Sequence, residues 1–183
     1  ERYRRYRRYR RYRRYRRIRR YKKFKGPAWR KPRFFWSTEI GYSMFHYTRY
    51  TPGIERPFTF NSVAIGGRWG YASRYIIFTG DILYGFGGAD NTRDGGFMGH
   101  LGVTLGILPF SFMSIDLGTG MQLVTSFDST MVQPAILLPI ETGVTFRIVW
   151  KRVSIGLRLV GSFSFGTEGV GIGFRSLLVL GRT

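Results

Sequence analysis

Residues 99–107 read Gly-His-Leu-Gly-Val-Thr-Leu-Gly-Ile. Leu101, Val103, Leu105 and Ile107 alternate with His100, Gly102, Thr104 and Gly106. A period of two belongs to a β-strand, whose successive side chains point to opposite faces. One face here is bulky and apolar. The other is wrong for a sheet face in water, which would carry Lys, Glu, Thr and Gln rather than glycine. Small residues suit the cramped inside of a narrow closed barrel, with the bulky side chains turned outward.

The same pattern recurs on both sides of this stretch, making eight segments in all. Towards the N-terminus, Trp36, Ile40, Tyr42 and Met44 alternate with Ser37, Glu39, Gly41 and Ser43. Val63, Ile65, Trp69 and Tyr71 alternate with Ala64, Gly66, Arg68 and Gly70, and Ile76, Phe78, Ile82 and Tyr84 with Thr79, Asp81 and Gly85. Towards the C-terminus, Ile115, Leu117, Met121 and Leu123 alternate with Asp116, Gly118, Gly120 and Gln122. Ile140, Val144, Phe146, Ile148 and Trp150 face Glu141, Gly143, Thr145 and Arg147. Ile155, Leu157, Leu159 and Phe163 face Ser154, Gly156, Arg158 and Ser162, and Val170, Ile172, Phe174, Leu178 and Leu180 face Gly171, Gly173 and Arg175.

Short turns are expected at 72–74, 109–112 and 151–152, and longer links at 51–57, 87–95 and 128–134, with a brief one at 166–169. Short turns at one end and longer loops at the other are the habit of membrane barrels. Aromatics gather at both ends of the segments. One belt is expected from Phe34, Phe35, Trp36, Trp69, Tyr71, Tyr75, Phe110, Phe112 and Trp150, the other from Tyr47, Tyr50, Phe58, Phe60, Phe86, Phe97, Phe127, Phe163 and Phe165. Such belts sit at headgroup depth. The fold class expected is all-β: an eight-stranded antiparallel up-and-down transmembrane β-barrel over residues 34–183, preceded by a basic low-complexity arm over residues 1–33.

Charge divides the chain at the same place. The net +20 splits into +18 before residue 34 and +2 in the remainder. The inward positions of the barrel carry few charges, and these balance. Counting depth from the turn ends predicts a lower layer of Glu39, Arg68, Asp116 and Arg147 and a middle layer of Asp81, Glu141, Arg158 and Arg175. Unpaired charge in a narrow lumen is very costly, so balanced layers imply interlocking ion pairs and a closed interior. His100 and Gln122 are placed nearer the outer end. With no cysteine and only two histidines in the chain, neither a thiolate site nor a multi-histidine metal centre is expected, and no cofactor.

In the arm, Tyr3, Tyr6, Tyr9, Tyr12, Tyr15, Ile18, Tyr21 and Phe24 recur every third residue. Between them lie basic residues such as Arg4, Arg5, Arg7, Arg8, Arg10, Arg11, Arg13 and Arg14. A charge density of this kind resists compaction, so the arm is expected to be extended or disordered until a polyanion is bound. Guanidinium forks would grip phosphates or carboxylates while tyrosines stack.

The body resembles the small eight-stranded outer-membrane barrels, similar to the OmpA transmembrane domain and OmpX. The likeness is carried by segment count, belts and a charged, closed interior, over roughly residues 36–180. The final segment ends Leu178-Val179-Leu180, where that family usually ends on an aromatic residue. The resemblance implies a bacterial outer membrane, with an even strand count leaving both termini in the periplasm. The expected role is non-enzymatic: a closed structural or anchoring barrel in outer-membrane lipid, possessing an arm for peptidoglycan, anionic lipid or an acidic protein, as a subunit of a larger envelope complex. Three rivals stand beside it. A viral capsid jelly roll would use the arm to package nucleic acid. A lipid A-modifying enzyme would need His46 or His100 with partners such as Ser126 and Asp128. A diffusion porin would need an open lumen.

Overall fold

The computed structural model describes residues 33–51, 54–89, 95–126, 135–150, 153–166 and 169–182. They form eight strands: β1 (Arg33–Thr51), β2 (Ile54–Ala72), β3 (Ile76–Ala89), β4 (Gly95–Phe110), β5 (Met113–Ser126), β6 (Ala135–Trp150), β7 (Val153–Gly166) and β8 (Gly169–Arg182). Each strand pairs antiparallel with its sequence neighbours, and β8 returns to β1, so the sheet closes into a barrel. This is the up-and-down barrel expected from the sequence, and the rival jelly roll is not favoured, because that architecture needs two sheets joined by crossovers. Arg4 to Tyr15, with the rest of residues 1–32, lie outside the described residues, and Arg33, expected to close the arm, opens β1.

The register fixes the shape. Starting at Trp36 and stepping through Trp69, Gly80, Val103, Thr119, Ile140, Phe163 and Ile172 returns to β1 at His46, ten residues further on. With a rise of about 3.3 Å and a strand spacing of about 4.8 Å, eight strands sheared by that amount tilt roughly 40° and enclose a radius of about 8 Å. Such a bore holds side chains and little else.

Inward and outward positions follow the alternation in every strand. Ile40, Val63, Phe78, Val103, Leu117, Ile140, Leu157 and Ile172, one from each strand, are exposed on the outer wall. Glu39, Arg68, Asp81, Thr104, Asp116, Glu141, Arg158 and Arg175, again one from each, are buried. Close backbone approach explains one of the inward glycines. A Cβ at Gly41 would collide with the Ser176 carbonyl oxygen and lie 2.9 Å from the Leu177 Cα, so only glycine lets β1 and β8 meet there.

Several details depart from the sequence reading. The link expected at 51–57 is mostly paired strand: Arg49 faces Arg56, Tyr50 faces Glu55 and Thr51 faces Ile54. The β1–β2 hairpin thus continues above the rim, since β2 joins β3 only from Phe60. No described strand pairs with β2 on the far side of Pro57, a position where the missing N–H costs no ladder bond. Pairing of β5 with β6 skips from Thr119↔Ile140 to Gln122↔Leu137, opposite Pro139, which has no N–H to give. The Thr119 hydroxyl instead donates to the Pro139 carbonyl at 2.9 Å.

Phe35, Tyr47 and Phe60, assigned above to the belts, point inward. All three have the inward parity of their strands. Tyr47 and Phe60 join Phe45, Met98, Val124, Ala135 and Leu137 in an apolar cluster at the loop end. Phe35 packs with Ala72, Ile77 and Leu108 at the turn end. The lumen is thus closed by greasy side chains above and below a polar middle.

Candidate functional site: the charged lumen and its turn-end mouth

Arg158 is the hub of the polar middle. Its side chain is 1% exposed, and Nη1 donates to Glu39 Oε2 at 3.0 Å and to Asp81 Oδ2 at 3.2 Å. Its Nε lies 3.6 Å from Asp116 Oδ2. The same Asp116 oxygen accepts from Arg68 Nη2 at 2.8 Å. Arg68 also donates from Nε to Thr79 Oγ1 and from Nη2 to Thr104 Oγ1, each at 2.9 Å. Arg175 Nη2 donates to Glu141 Oε1.

The structure brings together Arg68 with Asp116, Arg158 with Asp81, and Arg175 with Glu141, each within its expected layer. It also joins the layers, because Glu39 of the lower set bonds Arg158 of the middle set. Tilt explains this. On strands inclined by roughly 40°, equal counts from the strand ends are not equal heights. One guanidinium also presents several donors in a fork that spans neighbouring acids. Arg147, on the turn side of this hub, lines one small void with Glu39 and Arg68. It is half-buried at the turn-end mouth, where it lines a cavity of about 130 Å³ with Arg74, Tyr75, Pro109, Phe110 and Ser111 over the buried Leu108.

His100 lies between Asp81 and Glu141, with Nε2 at 3.9 Å from Asp81 Oδ2 and 3.6 Å from Glu141 Oε2. Gly102 makes room for it: a Cβ there would sit 2.5 Å from His100 Nε2 and 2.7 Å from Asp81 Oδ1. These three side chains have the spacing of a cation site. Both carboxylates are already held by arginines, however. The four lumen acids are matched by four lumen arginines, so a divalent ion would bury a charge with nothing to balance it. Above this level, Gln122 accepts from Ser164 Oγ at 3.2 Å.

The space left over is small. A void of about 20 Å³ remains among Phe35, Ser37, Glu39, Arg68 and Arg147, room for about one water. His46 faces outward, its Nδ1 3.1 Å from Thr59 Oγ1 on the neighbouring strand. Asp128 lies outside the described residues, as does the Ser126 side chain.

Trp36, Trp69, Tyr71, Tyr75 and Trp150 are all exposed at the turn end of the wall, Trp150 to 77%. Phe34 and Tyr71 meet edge to face with centroids 5.5 Å apart, and Phe110 stacks on Phe112 at 5.4 Å. At the loop end Phe86, Phe163 and Phe165 are exposed, while Phe97 is half-buried against Phe86 at 5.4 Å. Sequence reasoning missed the inward Phe45, Leu83, Met98, Leu137 and Leu177. Their parity was the available signal.

No protein-family model matches the chain, and no curated protein does. Solved structures do. Ail, the attachment invasion locus protein of Yersinia pestis, superposes with a TM-score of 0.52 at 11% identity, over 80% of this chain and 97% of Ail. Ail in complex with the heparin analogue sucrose octasulfate gives 0.52 at 13% identity, over 81% and 98%. Neisserial surface protein A gives 0.47 at 14%, over 82% and 97%. At such identities the likeness to Ail is one of fold.

Proposed function

We propose that this chain is a closed, non-porin barrel of the bacterial outer membrane that serves as a structural or anchoring subunit. Its polycationic arm extends into the periplasm and binds an anionic envelope component. The reading rests above all on the inverted polarity of the barrel: Arg158 and the three acids around it are buried while bulky apolar side chains cover all eight strands outside. A soluble monomer rarely exposes contiguous apolar patches beyond a few hundred Å². In hydrocarbon the same wall is at home. The filled lumen supports an anchoring role over diffusion. The burial of His100, 3% exposed between the arginine-paired Asp81 and Glu141, supports it over lipid chemistry.

The side on which the arm leaves is consistent with this. Arg33 pairs with Ala72 beside the first turn, and Trp36 pairs with Arg182, so both ends of the described chain lie at the turn end.

The arm is tested with the full chain in neutral-lipid nanodiscs, presented with isolated peptidoglycan sacculi or acidic vesicles. Capture should be strong at 50 mM salt (order of magnitude) and fall steeply as the Debye length shrinks below about 10 Å. It should be lost when Arg4, Arg5, Arg7, Arg8, Arg10, Arg11, Arg13 and Arg14 are replaced by Gln. Capture that survives these replacements would refute the role assigned to the arm.

A further inference from the structure

We infer that the turn end of the barrel carries a binding site for the phosphate headgroup of an anionic phospholipid, seated between the β2–β3 and β4–β5 turns on Arg74, Arg147 and Ser111. The inference rests on the membrane reading above and names one ligand class for that end of the molecule.

The first observation is how charge is sorted along the barrel axis. Among the described residues outside the lumen, the turn end carries Arg33, Arg74 and Arg182 and no acid. The loop end is mixed instead, with Glu55 and Arg56 of β2 paired to Tyr50 and Arg49 of β1. The lumen between them is balanced. A collar of one sign at one end is a directional device, because bases beside an anionic leaflet are each attracted to it.

The second observation is a cavity in that collar. Its volume of about 130 Å³ equals the share of about four waters, enough for one phosphate group. Two arginines line it from different elements, Arg74 on a turn and Arg147 on β6, together with Ser111 of the next turn. Guanidinium forks bind phosphate oxygens in pairs, and a hydroxyl adds one more donor. The turns are held in place: Leu108 N donates to the Tyr75 carbonyl at 2.8 Å, and Arg147 N to the Phe112 carbonyl at 2.7 Å. The guanidinium of Arg74 lies 4.8 Å from the Tyr75 ring centroid.

The third observation places the cavity at the right depth for a lipid. Tyr75 and Phe110 line it and are themselves exposed on the outer wall, with Phe112 and Trp150 nearby at the same end. Aromatic rings of this kind mark the headgroup boundary. A lipid whose phosphate entered the cavity would lay its acyl chains along Ile76, Ile107 and Phe110, all exposed.

The test uses the full chain, isotope-labelled, in maltoside micelles. It is titrated with dihexanoyl phosphatidylglycerol, dihexanoyl phosphatidylcholine or inorganic phosphate and followed by amide NMR. Phosphatidylglycerol should give saturable shifts at residues 73–76 and 110–112, with an affinity about tenfold above either control. Arg74→Glu, on an exposed turn, should weaken it by about tenfold or more, from the loss and reversal of one charge near the headgroup. Ser111→Ala should weaken it as well, with the strand amides unmoved. Shifts confined to residues 1–33, or equal curves for the parent and Arg74→Glu, would overturn the site. Inorganic phosphate binding as tightly as phosphatidylglycerol would overturn the lipid assignment. If the parent fails to insert in bilayers at all, the membrane reading fails. If it inserts but the turn amides do not saturate, only the headgroup site fails.

Discussion

Replacing Arg158 by Ala should lower the unfolding free energy of the bilayer-inserted chain by about 3–5 kcal/mol, the usual cost of deleting one partner from a buried ionic cluster. The reason is the company it keeps. Glu39, Asp81 and Asp116 all lie within 3.6 Å of its guanidinium, and each is at most 2% exposed. Removing the cation leaves those acids in a lumen that water enters poorly. Arg158→Lys keeps the charge but loses the fork, since one ammonium cannot reproduce donors aimed at separate acids. It should fall between the parent and Ala. Arg158→Met combined with Glu39→Gln, which leaves three lumen arginines to three acids, should recover more than half of the loss, because the penalty comes from uncompensated charge. Urea titrations of liposome-inserted protein, followed by gel mobility and tryptophan emission, measure all of these. A loss below about 1 kcal/mol for Arg158→Ala would remove Arg158 from the centre of the account.

Val103→Arg should be nearly as damaging, for the opposite reason. Val103 is exposed on the outer wall halfway along β4. Arginine at the bilayer midplane of a barrel costs about 2–4 kcal/mol, and near the interface about 0–1. Ser111→Arg, at the turn, is therefore the matched control and should change stability little. In water the ordering would disappear, because an exposed valine can become arginine at almost no cost. The difference between the two variants reads the solvent of the outer wall from protein that need only fold.

The alternation of Leu101 to Ile107 with glycine, histidine and threonine was enough to set the strand, its parity and the outward turn of its bulky face. The eight repetitions set the barrel. The pairing of Arg68 with Asp116 and of Arg175 with Glu141 was also within reach, because balanced charge in a tight lumen has few ways to be satisfied. Register was not. That Glu39 meets Arg158 depends on a ten-residue shear, which no local pattern encodes. Composition also misled at the strand ends. Phe35, Tyr47 and Phe60 were grouped with the belts for being aromatic, although their parity pointed inward and the lumen needed closing at both ends. Pairing of Thr51 with Ile54 and of Thr48 with Pro57 was hidden by Pro57, which reads as a loop signal. The mouth cavity was invisible because it depends on two turns distant in sequence.

The chain has no cysteine, so a single introduced one takes a label at a unique place. Spin labels at Leu101→Cys, Val103→Cys, Leu105→Cys, Ile107→Cys and Ser111→Cys, in lipid vesicles, would report oxygen and polar-reagent access along one line of the wall. Oxygen access should be greatest at the β4 positions and polar access should rise only at residue 111. High polar access at 101, 103, 105 and 107 would place this wall in water and contradict the membrane barrel.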